Sequence, residues 1–152
     1  MKNILVAVDF SKGSFRALTY AIRLANIYKS DILLTFVLKP DSNDSLYSNP
    51  HDQIIEDVHK RFNELINTHK KNLKGGNMTY KIREGKVHTE ISNQAKYTDC
   101  ELIVTGTHGV SGFEEFWLGS NARRIVTSAP CPVMTVRNDF CASRDIKKLS
   151  CL

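Results

Sequence analysis

The sequence predicts an α/β fold built on a single doubly wound parallel sheet, and three observations carry that prediction. Strand-like runs recur at intervals that leave room for a helix between them, the pattern of βα units rather than of hairpins. The first run, residues 4–8, is continuously apolar and the second, 32–38, is apolar but for Thr35, as strands covered on both faces are. A glycine-punctuated segment then leads out of the fourth run into a helical pattern.

Five strands are predicted, at residues 4–8, 32–38, 78–83, 102–105 and 133–136. Residues 78–83 alternate in polarity, which suits a strand nearer an edge, whereas 102–105 (LIVT) read as short and buried. In the first helix Phe15, Leu18, Ile22 and Ala25 fall at helical spacing, and Ser11 and Ser14 both offer an N-cap hydroxyl. The second carries Ile54, Ile55, Val58, Phe62, Leu65 and Ile66 as one stripe and stops before Gly75 and Gly76. The third, over residues 88–97, rests on Ile91 and Ala95. The fourth, over 120–128, turns Ala122, Ile125 and Val126 inward, and Pro130 prevents its continuation. Two connections, residues 39–50 and 106–119, exceed the usual length of about four to six residues, and such loops tend to carry function.

A chain of 152 residues is long enough to bury roughly 70% of its unfolded surface as one domain. Hydrophobic residues make up 41% and charged residues 24%, which places the chain among ordinary globular proteins. The net charge of +5 comes from lysines and arginines scattered among acids without interleaved aromatics. That pattern reads as solvated surface and argues against a nucleic-acid partner. No apolar run approaches the roughly 20 residues of a membrane helix, and residues 4–8 are too short for a signal-peptide core, so a cytoplasmic location is expected. Cys100, Cys131, Cys141 and Cys151 contain no CxxC pair, and the five histidines show no metal-ligand spacing. Reduced thiols and no metal site follow. Residues 1–140 are expected to form the domain and 141–152 a tail.

The chemistry concentrates in residues 105–122, TGTHGVSGFEEFWLGSNA. Glycines let backbone N–H groups reach phosphate oxygens, and a helix N-terminus adds unpaired donors and a favourable dipole. Ser120 stands where an N-cap hydroxyl can also meet a phosphate. The same glycines would equally serve a plain βα turn. The loop is no Walker motif, since GK[ST] is absent, and strand one lacks GxGxxG. Phe113, Phe116, Trp117 and Leu118 read as packing anchors, Glu114 and Glu115 as exposed carboxylates. At most one of Arg123 and Arg124 can face the loop, because adjacent helical residues point about 100° apart.

Gly106-x2-Gly109-x9-Gly119-Ser120 matches the nucleotide-binding pattern G-x2-G-x9-G-[ST], and with it the chain resembles the universal stress protein family. The opening residues 4–11, the segment 101–109 and residues 129–133 (APCPV) extend that resemblance over nearly the whole chain. It implies a sheet ordered 3-2-1-4-5, of the adenine nucleotide alpha hydrolase-like type, with its topological switch between strands one and four. There Asp9 and Gly106 would flank one crevice. Matched position by position, the resemblance assigns Asp9 to the nucleoside, Val37 to the adenine pocket, and Gly106, Gly109, Gly119 and Ser120 to the phosphates. His108 lies inside the phosphate loop and would contribute chiefly its backbone. A turn-forming role at the start of helix one is the competing reading of Asp9.

The resemblance thus implies a regulatory protein that binds ATP or AMP, with Mg²⁺ arriving on the nucleotide, and a homodimer through Val133–Val136. No nucleophile-base pair, paired-metal carboxylates or GxSxG elbow supports more than slow hydrolysis. The rivals are a weak ATPase, a ligand-free dimeric module of the same fold, and a receiver domain. A receiver requires an aspartate ending strand three, where Arg83, Glu84 and Gly85 stand.

Overall fold

The computed structural model describes residues 1–40, 50–107 and 118–137. Along the chain it runs β1 (Asn3–Ala7), α1 (Lys12–Tyr28), β2 (Asp31–Leu38), α2 (Pro50–His69), a 3₁₀ turn (Lys70–Asn72), β3 (Met78–Glu84), α3 (Val87–Tyr97), β4 (Leu102–Gly106), α4 (Ser120–Ser128) and β5 (Val133–Val136). The five strands are parallel and ordered β3-β2-β1-β4-β5, as expected.

Alternate residues of the central strand serve opposite faces. Ile4 and Val6 of β1 pack with Leu34, with Leu18 and Ala21 of α1 and with Phe62 of α2. Leu5 packs with Ile103, with Ile91 and Ala95 of α3 and with Ile125 of α4. Each face therefore carries two helices, and Ile4, Leu5 and Val6 are wholly buried. That is why β1 reads as an unbroken apolar run. β3, at one edge, alternates half-buried with exposed residues over most of its length.

Of the two candidate serines, Ser11 caps α1. Its Oγ accepts from the Ser14 N–H at 3.2 Å, and the Ser14 hydroxyl donates back to the Ser11 carbonyl at 3.0 Å. Ser14 is itself buried. Gly76 lies so close to the Ser30 carbonyl that a Cβ would stand 2.0 Å from its oxygen, so only glycine closes the turn into β3.

Three readings of helix faces need correction. Val126 is 46% exposed rather than buried, because Ala122 and Ile125 already fill the narrow inward stripe of a nine-residue helix. Phe15 and Ile54 lie at the margins of their stripes and are 37% and 39% exposed. Leu118, expected as an anchor, is 37% exposed. Among the described residues no helix is long and apolar enough to cross a membrane.

Candidate functional site

The site forms where the strand order turns back. β1 ends at Ala7 and the Val8 N–H donates to the Thr35 carbonyl at 2.9 Å, which carries the β1–β2 pairing to the sheet's upper edge. The chain then reverses through Phe10, which adopts a left-handed backbone with φ of 59°. The Asp9 Oδ1 accepts from the Ser11 N–H at 3.0 Å and holds that turn, so the turn-forming role of Asp9 is present. Asp9 also lines the crevice above the strands.

On the other side of the switch, two backbone bonds bring the ends of a long connection together. The Thr107 N–H donates to the Val136 carbonyl at 3.0 Å, and the Gly119 N–H donates to the Thr107 carbonyl at 2.8 Å. Thirteen positions apart in sequence, Gly106 and Gly119 thereby become neighbours. Gly119, not Ser120, is the N-cap of α4, and no side chain caps that helix. A glycine cap satisfies none of the first-turn N–H groups, so they keep their capacity for an anion. Ser120 occupies the first helical position and is exposed.

Gly106 has a packing duty that the sequence pattern does not disclose. A Cβ there would stand 2.8 Å from the Gly13 carbonyl carbon and 3.1 Å from its oxygen. The first turn of α1 and the end of β4 touch backbone to backbone, which narrows the base of the switch point.

A crevice of about 550 Å³ opens above these elements, within the usual range for small-molecule sites. Asp9, Val37, Gly106, Gly119 and Ser120 all line it. His108 and Gly109 lie outside the described residues, as do residues 113–117 and 138–152, which include Cys141 and Cys151. Val37, Val87 and Ile91 give the crevice an apolar wall, and Asn121, next to Ser120, lines its α4 end. Arg123 and Arg124 are exposed and absent from its lining.

Several lining residues escaped the sequence reading. Arg61 reaches the crevice from α2 with its guanidinium 4.2 Å from the Phe10 ring centroid, and Lys39 enters from the end of β2. Their distance from the glycine loop along the chain hides them. Thr35, also lining, is 1% exposed, and its Oγ1 has no hydrogen-bond partner among the described residues. A lone threonine among the apolar residues of β2 was the available signal.

Among the described residues no three of His, Cys, Asp or Glu gather to hold a metal, and Asp9 is the one carboxylate in the crevice lining. Cys100 and Cys131 are free thiols away from the crevice, and burial pushes both above their ordinary value. Raised thiols are poor nucleophiles at neutral pH.

Residues 1–137 match the model of the universal stress protein family. A universal stress protein of Bacillus subtilis, YxiE, is 30% identical over 144 residues, covering 88% of this chain and 97% of that one. The solved universal stress protein UspA from Lactobacillus plantarum superposes with a TM-score of 0.70 at 25% identity, covering 90% of this chain and 97% of that one. The universal stress protein from Archaeoglobus fulgidus, solved in complex with dAMP, superposes at 0.65 with 21% identity, covering 89% and 97%.

Proposed function

The chain belongs to the universal stress protein family, and on that footing we propose that it is an ATP-binding member, a regulatory protein whose state follows nucleotide occupancy. The observation that carries the reading is the convergence of Asp9, Val37, Gly106, Gly119 and Ser120 on one crevice at the switch between β1 and β4. These residues lie on four separate stretches of the structure, β4 and α4 included, and a plain βα turn would not require Asp9 or Val37 beside it.

The roles follow from chemistry. The apolar wall of Val37, Val87 and Ile91 accepts a purine base, and Asp9 accepts hydrogen bonds from ribose hydroxyls or an amino group. The open N-terminus of α4, with Gly119 and Ser120, takes the phosphates together with Gly106, His108 and Gly109. Mg²⁺ arrives with ATP, held by phosphate oxygens and water. The dAMP complex of the Archaeoglobus fulgidus relative supports an adenine ligand, with AMP as the alternative to ATP. Hydrolysis, if any, is proposed to be slow, the described lining residues pairing no base with a nucleophile. Residues 1–140 act as the binding domain, and β5, at the sheet edge, pairs with a second copy to give a dimer.

The test is mass spectrometry of the supernatant from denatured protein, followed by calorimetry with ATP and Mg²⁺. Adenine nucleotide in the supernatant, or binding that Asp9→Ala weakens, is the expected result. Absence of binding at millimolar nucleotide would leave a ligand-free module. A dimeric mass in light scattering is expected, and a monomeric one would rule out the β5 contact.

A further inference from the structure

The crevice has a second cationic end that the phosphate loop does not account for. Arg61 projects from α2, and Phe62 beside it stacks on Tyr80 of β3 with ring centroids 4.6 Å apart. Arg61 therefore approaches from the β2–β3 side of the sheet. The α4 N-terminus approaches from the β4 side, with the crevice between them.

The guanidinium is held in place there. Its carbon lies 4.2 Å from the Phe10 ring centroid. That ring is braced against Phe15, Phe36 and Phe62 at centroid distances of 6.5, 5.5 and 5.0 Å. The left-handed backbone at Phe10 directs the ring into this cluster. A guanidinium held over a ring face by its charge keeps N–H donors for an oxyanion. None of the salt bridges among the described residues involves Arg61 or Lys39. Among the described lining residues, Arg61 and Lys39 are the two cations and Asp9 the one anion.

Position identifies the part of a ligand that would meet them. Arg61 stands over the residue that follows Asp9, the nucleoside end under the reading above. The end of β2, where Lys39 emerges, and the end of β4 are two strand spacings apart, roughly 10 Å. Under that reading one end faces the 5′-phosphates and the other the nucleoside, its base on the Val37 wall and its ribose hydroxyls toward Asp9.

We propose that Arg61 and Lys39 form an anion subsite for a phosphate esterified to the ribose, so that the crevice favours adenine nucleotides phosphorylated on the ribose ring as well as at the 5′ position. This rests on the nucleotide reading and extends it to the class of nucleotide.

The experiment is calorimetric titration of the full chain with AMP and with adenosine 3′,5′-bisphosphate, at low and high salt. The bisphosphate is expected to bind at least about tenfold more tightly than AMP at low salt, as charge-assisted bonds to an arginine allow, with a smaller preference at high salt. Arg61→Met, which keeps the apolar stem on an exposed helical position, should remove the preference by weakening the bisphosphate at least about tenfold more than AMP. Arg61→Lys should restore part of it, since the charge returns without the fork. Equal affinity for the two ligands, or equal weakening of both by Arg61→Met, overturns the subsite alone. Failure of AMP, ATP and the bisphosphate to bind overturns the nucleotide reading and the subsite with it.

Discussion

Replacing Gly106 by alanine tests whether the switch point is set by backbone contact. The added Cβ would lie 2.8, 3.1 and 3.2 Å from the carbonyl carbon, oxygen and Cα of Gly13. Comfortable carbon contacts are about 3.5–4.0 Å, so the overlap with the carbonyl carbon is roughly 0.7–1.2 Å. All three atoms are backbone, and Gly13 is buried in the first turn of α1. That turn is pinned by the Ser11 cap, so no side chain can swing aside. Forced overpacking of this kind costs about 1–3 kcal/mol. At about 2 kcal/mol, a domain of this size should melt roughly 4–8 °C lower. Circular dichroism melts of wild type, Gly106→Ala and Gly119→Ala provide the assay. Gly119 has φ of −54°, which alanine adopts freely, so that control should lose only its cap preference, about 1 kcal/mol or less. A Gly106→Ala melt within about 1 °C of wild type would refute the argument.

Two further outcomes test the packing and the ionisation. Phe62 is fully buried and stacks on Tyr80, so Phe62→Ala should cost about 3–5 kcal/mol in urea unfolding; a loss under about 1 kcal/mol would mean that α2 is not seated on β3. Burial lowers the pKa of His69. The unfolded chain then binds the proton more readily than the folded one, so this contribution is intact above the ordinary histidine range and is lost as pH falls through the folded value. His69→Gln should flatten the decline in melting temperature on the acid side of neutrality, and an unchanged pH profile would remove His69 as a cause.

Much of the fold was legible because the signals are local. Residues 4–8 and 32–38 are apolar on both faces since the central strands are covered on both faces, and Pro130 stops α4 where the helix ends at Ser128. Misreadings arose where a stripe was drawn one residue too wide, as at Val126, or where two residues competed for a cap. Ser120 carries the hydroxyl, yet Gly119 holds the cap because its backbone is already extended, with ψ of 150°. In the site, Asp9, Val37 and the described part of the glycine loop could be placed from pattern and resemblance. Arg61, Lys39 and Thr35 could not, because only the tertiary fold brings them to the crevice. The close approach of Gly106 to Gly13 was equally invisible, since 93 positions separate them in the sequence.

The most direct measurement is calorimetric titration of wild type and Ser120→Glu with ATP and Mg²⁺. Ser120 is the exposed first residue of α4, where a glutamate favours the helix dipole, so the variant should fold and melt at or above the wild-type temperature. In the proposed complex that carboxylate would sit against the phosphates. Binding by wild type and a loss of about a hundredfold or more in Ser120→Glu, at unchanged or higher melting temperature, is the predicted result. Equal binding by both proteins would contradict the placement of the phosphates, and no binding by wild type would contradict the account at its centre.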